Sequence, residues 1–169
     1  MSQLPQADFS QFKLRVNVRT SIDNAYRAWA SPAGLSSWFV GVMQFTGPNG
    51  EVRTGDDLVQ AGDEYVCSYR KDPSRVIIKG KVLKANGRDL YSFTFSKGCP
   101  VTISFFTEHG DTIVELIESN LPTDEETMRR HYVGDSKGWI FFLANLKSVL
   151  EGGLDLRNKN ADIDNVINF

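Results

Sequence analysis

The sequence is poor in the side chains that carry most enzymatic chemistry. Its 169 residues include two histidines, His109 and His131, and two cysteines, Cys67 and Cys99, all far apart along the chain. Nucleophilic catalysis needs a Ser or Cys beside a His base that a carboxylate orients, and neither histidine stands in such a motif. Both are expected on the surface, His109 in the turn "EHGD" and His131 on the polar start of a helix. The same scarcity leaves no ligand spacing for a metal. No glycine run of the G-x-x-x-x-G-K-S/T or G-x-G-x-x-G kind follows a strand to cradle a phosphate. No cofactor is therefore expected, and a non-enzymatic role is favoured. Two lone thiols without a basic and apolar leader predict a reduced, cytoplasmic protein. No apolar run reaches the ~20 residues that cross a bilayer, which argues against a membrane partner. Lys and Arg are scattered and the net charge is -2, so the basic face that nucleic acid requires is missing.

What the chain has instead is alternation and aromatic residues. After a loose arm over residues 1–11, "FKLRVNVRT" alternates strictly, putting Leu14, Val16 and Val18 on one face of a half-buried strand. Ser21 then offers an N-cap to a short helix carrying Ile22, Ala25, Tyr26 and Trp29, and Ser31 with Pro32 starts a second. The middle of the chain reads as strands, "EYVCSYR", "RVIIKGKVLK", "LYSFTF", "VTISFFTE" and "TIVELIES", joined by short turns that imply antiparallel neighbours. Val42 to Thr46 forms one more, and "GPNGEVRTGDD" after it reads as a loop. Thr123 with Glu126 spells a capping box for a long last helix that Gly152 and Gly153 end, with a kink or break near Gly134 and Gly138. Residues 158–169 form a polar tail.

The helical stripe of Trp139, Phe142, Leu143, Leu146 and Leu150, with Asn145 and Lys147 between, has to lie against something. One helix covers a sheet of about six or seven strands when the sheet curls around it, so the fold class is α+β with a curved antiparallel sheet gripping a long C-terminal helix over residues 12–157. Strand faces carrying Tyr65, Cys67 and Tyr69, then Tyr91, Phe93 and Phe95, then Val101, Ile103 and Phe105 all can point at that stripe. The candidate ligand-binding set is Trp38, Tyr65, Cys67, Tyr69, Phe93, Phe95, Phe105, Trp139, Phe142, Leu143 and Leu146. Two outcomes stand: a close-packed core, or an apolar pocket in which Tyr65, Tyr69 and Tyr91 offer hydroxyls. Glu115 sits in an otherwise apolar strand and is expected to face solvent.

The opening "RVNVRTSIDNAYRAWASPAGLSSWF" and the closing "GWIFFLANLKSVLEGGLDLR" resemble the START-like, Bet v 1-like (SRPBCC) superfamily, and within it the branch named after the activator of Hsp90 ATPase homologue. The resemblance implies a helix-grip fold with a cavity between sheet and long helix, holding a small hydrophobic ligand. It also implies two rival roles, a polyketide cyclase or aromatase, or a stress-related module that interacts with a chaperone. In the eukaryotic co-chaperone a separate preceding domain does most of the stimulation, so this chain is expected not to stimulate Hsp90 by itself.

Overall fold

The computed structural model describes residues 8–39, 41–68, 74–160 and 162–163. Strand β1 (Phe12–Val18) is followed by helices α1 (Ile22–Ala30) and α2 (Pro32–Trp38). Both helix starts are set locally. The Ser21 hydroxyl accepts from the Asn24 N–H, the Ser31 hydroxyl accepts from the Gly34 N–H, and Pro32 occupies the first turn, where its missing N–H costs nothing. Seven strands follow: β2 (Val42–Thr46), β3 (Val52–Arg53), β4 (Glu64–Ser68), β5 (Val76–Ala85), β6 (Leu90–Thr94), β7 (Pro100–Glu108) and β8 (Asp111–Glu118).

All eight described strands join one antiparallel sheet in the order β1-β8-β7-β6-β5-β4-β2-β3. The first strand thus closes against the last, and β2 pairs with both β3 and β4. The register slips between Cys67 and Ser68 against β5, and between Val82 and Lys84 against β6. Such slips bend a strand and increase its twist, so the sheet curls into a trough. One strand more than expected is present: β3 lies inside the Gly- and Asp-rich stretch expected to be loop. Its two residues pair with Phe45 and Thr46, and the Arg53 guanidinium is held by Asp63 at 2.9 Å.

The last helix is continuous but not uniform. Its α-helical start, α3 (Glu125–Met128), passes into a π turn (Arg129–Val133) and then into α4 (Gly134–Leu150). The irregularity expected at Gly134 and Gly138 is therefore a widened turn just before Gly134. The N-cap is Asp124, whose carboxylate accepts from the Thr127 N–H, and the Thr123–Glu126 capping box is not formed. An acceptor one residue later also takes the Thr127 hydroxyl, which gives it two partners at once. The exit is as the glycines imply: Gly152 has φ of 77°, a left-handed position that suits a residue without a side chain.

Helix α4 lies in the trough against β1 and α2. Trp139, Phe142, Leu143 and Leu146 are buried there, and Val18 with the half-buried Leu14 and Val16 faces the same core. Asn145 departs from the expected pattern. It is completely buried, because its amide is the clasp that fixes the chain after the helix: Nδ2 donates to the Trp38 carbonyl at 2.7 Å and Oδ1 accepts from the Leu156 N–H at 2.7 Å. Arg157 adds donation to the Ser36, Ser37 and Phe39 carbonyls, and its partner Asp155 braces it. Among the described residues no helix is long and apolar enough to cross a membrane.

Candidate functional site

The space between helix and sheet is occupied by aromatic rings. Trp139 is the hub, with ring centroids at 4.9 Å from Phe95, 5.3 Å from Phe39, 5.8 Å from Trp29 and 6.4 Å from Phe93. Trp38 stands edge-on to Trp29 at 4.6 Å, Phe142 lies 5.0 Å from Phe39, and Tyr65 lies 6.0 Å from Phe93. These contacts bring together Trp38, Tyr65, Phe93, Phe95, Trp139 and Phe142 of the candidate set. Cys67, Leu143 and Leu146 are buried in the same cluster. Phe105 sits further along, against Tyr26 at 5.6 Å, and Tyr69 falls outside the described residues. The Tyr65 hydroxyl is already engaged, donating to the Thr94 carbonyl at 2.7 Å. Its ring passes so close to Gly80 that a Cβ there would come within 2.7 Å of it, so the glycine makes this placement possible.

The half-buried Phe95 leads out of the ring cluster to a solvent-open pocket of about 500 Å³. Ile77, Ile78 and Phe95 supply its apolar wall; Lys79, the turn Ser96–Gly98 and Asp135 supply its polar rim. A second depression, about 540 Å³, lies between α2 and the β2–β3 edge, away from the ring cluster. The first of the two adjoins a group of buried ionisable side chains that the sequence reading did not bring together.

His131 belongs to that group. It is buried rather than exposed as expected, because it lies on the same stripe of the last helix as Asp135 and Trp139. Its Nδ1 stands 3.0 Å from the Ser96 hydroxyl and 3.4 Å from Asp135. Both contacts converge on one ring nitrogen, so the three side chains do not form a Ser–His–Asp relay, which uses the two nitrogens separately. Burial pushes the Asp135 carboxyl up, against the opposing pull of His131 and Ser96. The Cys99 thiol is also raised, by burial first and then by the negative potential of Glu118 and Asp135.

Glu118 is the deepest member. It is completely buried at the end of β8; its Oε2 accepts from the Trp139 indole N–H at 2.9 Å, and its Oε1 has no partner. No cation pairs with it among the described residues. Burial, with Asp135 nearby, raises its pKa to about 8, the indole hydrogen bond opposing only in part. Of the two glutamates of β8, the sequence singles out Glu115 and not Glu118. Glu115 faces outward as expected, paired with Lys13 and Arg15 across the strand. The alternation of β8 was the available signal: Val114 and Leu116 point into the core, and the next residue of that face is Glu118. Among the described residues no three His, Cys, Asp or Glu side chains are grouped to hold a metal ion. His109 stands exposed in the β7–β8 turn.

No family model matches the chain, and no curated protein matches it in sequence. Solved structures do match in fold. A protein of Staphylococcus saprophyticus aligns at 18% identity and a TM-score of 0.66, over 87% of this chain and 96% of its own. The structure described as the Aha1 dimer from Colwellia psychrerythraea aligns at 18% identity and 0.62, over 85% and 97%. An AHSA1-like protein from Aeromonas hydrophila aligns at 20% identity and 0.60, over 84% and 92%. The helix-grip fold that the two ends of the sequence implied is the fold these proteins share with it.

Proposed function

We propose that the chain is a binding domain for a small apolar or amphipathic molecule that enters through the pocket beside Phe95. One observation carries the reading: a pocket of about 500 Å³ whose apolar wall continues, through Phe95, into the aromatic cluster around Trp139. Binding sites for small molecules are typically concave and mostly apolar, with a few polar groups that orient the guest, and here Lys79, Ser96, Lys97 and Asp135 are those groups. The shared fold with AHSA1-like structures agrees with this role. No reaction is assigned.

A thermal-shift screen of fatty acids, sterols, flavonoids and polyketides tests the proposal. A ligand that binds only the folded chain stabilises it by about 2.7 kcal/mol at a hundredfold excess over its Kd. Ile77→Trp, which fills the pocket wall, should abolish that gain while leaving the protein folded. A screen with no stabilising compound would overturn the reading. The cyclase-like alternative gains from the inward carboxyl of Glu118; turnover of a poly-β-keto substrate, absent in Glu118→Gln, would favour it over simple binding.

A further inference from the structure

The proposed function leaves one group unused. Glu118 is fully buried, accepts a single hydrogen bond from the protein, and keeps Oε1 without a partner among the described residues. An ionised carboxylate placed so, with no cation beside it, carries a large desolvation penalty, and the neutral acid does not. A neutral carboxyl, however, has one O–H to give. The Trp29 indole N–H is likewise buried and without a partner, and its ring stacks on the other ring of the same contact, Trp139, at 5.8 Å. The Trp29 indole N–H and the Glu118 Oε1, a donor when the carboxyl is neutral, are therefore two buried polar atoms beside Trp139 without a protein partner, and buried polar groups left so are uncommon enough to call for an explanation.

The position of this pair relative to the pocket supplies one. Phe95 forms the pocket wall and packs on Trp139 at 4.9 Å, and the Trp139 N–H is the group that touches Glu118. Asp135 on the pocket rim lies one helical turn before Trp139 on the same stripe. Glu118 does not line the pocket; the rings of Trp139 and the half-buried Phe95 stand between them, and a guest reaches the carboxyl only when Phe95 and Trp139 give way.

We propose that Glu118 is a buried hydrogen-bond donor of the binding site, and that the ligand it selects presents a neutral carbonyl oxygen, as a ketone, ester or lactone does, ahead of an apolar body. The inference rests on the pocket reading of the preceding section. An amine would bring further donors to a place that already has two unmatched ones. A carboxylate would pass Asp135 on its way in, and its natural place is the rim near Lys79 and Lys97. The titratable groups near Glu118 are Asp135 from α4, with His131 beside it on the π turn, Cys99 just before β7 and Tyr65 from β4; Lys97 acts on Cys99 in turn. The pKa of Glu118 at about 8 agrees with a proton held at neutral pH.

The test uses three probes of similar shape, acetonaphthone, ethylnaphthalene and naphthoate, titrated calorimetrically into the wild-type chain, Glu118→Gln and Glu118→Leu. At pH 6 the wild type should bind the ketone about tenfold more tightly than the hydrocarbon, the value of one net hydrogen bond. Glu118→Gln, which keeps an N–H donor, should retain the preference, and Glu118→Leu should lose it. In the wild type the preference should fade as pH rises through about 8, because the carboxylate has no proton to give, and in Glu118→Gln it should not. That pH series needs no variant, so a poorly folded Glu118→Leu does not spoil the test. Equal binding of ketone and hydrocarbon by the wild type would overturn the inference while leaving the pocket intact, as would tightest binding of naphthoate. No binding of any probe would overturn both.

Discussion

Asp63 and Glu118 are both completely buried acids, and the molecule treats them in opposite ways. Asp63 receives two hydrogen bonds from Arg53, at 2.9 and 3.1 Å, and a third from the Gln60 N–H at 2.9 Å. Burial pushes its carboxyl up, but the Arg53 and Gln60 hydrogen bonds and the guanidinium charge outweigh burial and hold it below the usual range. Glu118 has one neutral donor and no cation, and burial wins. Position explains the difference. Asp63 pins the short outer strand β3 and the loop that follows it, a job that needs a fixed ionic clasp. Glu118 lies behind the Trp139 ring, where on the proposed role a clasp would close off the polar atom that a guest could use. Asp63 belongs to the scaffold, and on the proposed binding role Glu118 belongs to the site.

The comparison predicts unequal costs of breaking each. The largest belongs to Asp63→Ala, which strands Arg53 in a mostly buried place; removing one partner of such a pair costs about 3 to 5 kcal/mol, read as a lower urea midpoint at unchanged slope. A loss below 1 kcal/mol would mean the pair is solvated. Leu146→Ala, an apolar truncation at a fully buried position of α4, should cost about 2 to 5 kcal/mol and serves as the yardstick for packing without charge.

Glu118 should show itself in pH dependence, with a sign opposite to that of Asp63. Because its folded pKa of about 8 lies above the usual 4.5, the folded chain holds a proton that the unfolded chain releases. Its contribution is complete below pH 4.5 and is lost as pH rises toward 8, by at most about 1.4 kcal/mol per pH unit. Asp63, with its pKa lowered, contributes above about 3.8 and loses that contribution on acidification. Wild-type stability should thus decline on both sides. Glu118→Gln should flatten the alkaline limb alone, by about 1 to 3 kcal/mol between pH 5 and 8, measured by urea denaturation across that range. An alkaline limb unchanged in Glu118→Gln would assign it to other groups.

What the sequence made legible was whatever local spacing determines. Strand β1, the two serine caps with Pro32, the outward Glu115 and the exit at Gly152 all follow from neighbours a few residues away. The helix-grip architecture followed from matching one apolar helix stripe to a curling sheet. The candidate residues Trp38, Phe93, Phe95, Trp139 and Phe142 do meet, because their faces were fixed by the two periodicities. Polar residues on those same faces were harder to place. Counting back by fours from Trp139 reaches Asp135 and His131, and counting forward by two from Leu116 reaches Glu118, yet polar side chains are by default assigned to solvent. Asn145, which the stripe assigns to the outer face, is buried for its hydrogen bonds and illustrates the same default. Asp63 had no local signal: its partner Arg53 comes from a loop-like stretch, and their meeting depends on the pairing of β3 with β2.

The smallest effect belongs to a buried polar group with neutral partners on both sides. Ser31 is almost completely buried; its hydroxyl donates to the Arg27 carbonyl at 2.8 Å and accepts from the Gly34 N–H at 3.1 Å, joining the end of α1 to the start of α2. It carries no charge, so no desolvated ion is left behind when it is removed, and both backbone partners lie at helix ends where 3₁₀-type bonds or water can replace it in part. Ser31→Ala should therefore cost about 1 kcal/mol, within the range of lost N-caps, with no change in the pH profile. The space around it is tight, since a Cβ on Gly34 would stand 2.8 Å from the Ser31 hydroxyl oxygen, and so Ser31→Val should cost more than Ser31→Ala. A cost for Ser31→Ala as large as that of Asp63→Ala would show that geometry at the α1–α2 joint, and not charge, sets the ranking of buried polar groups in this fold.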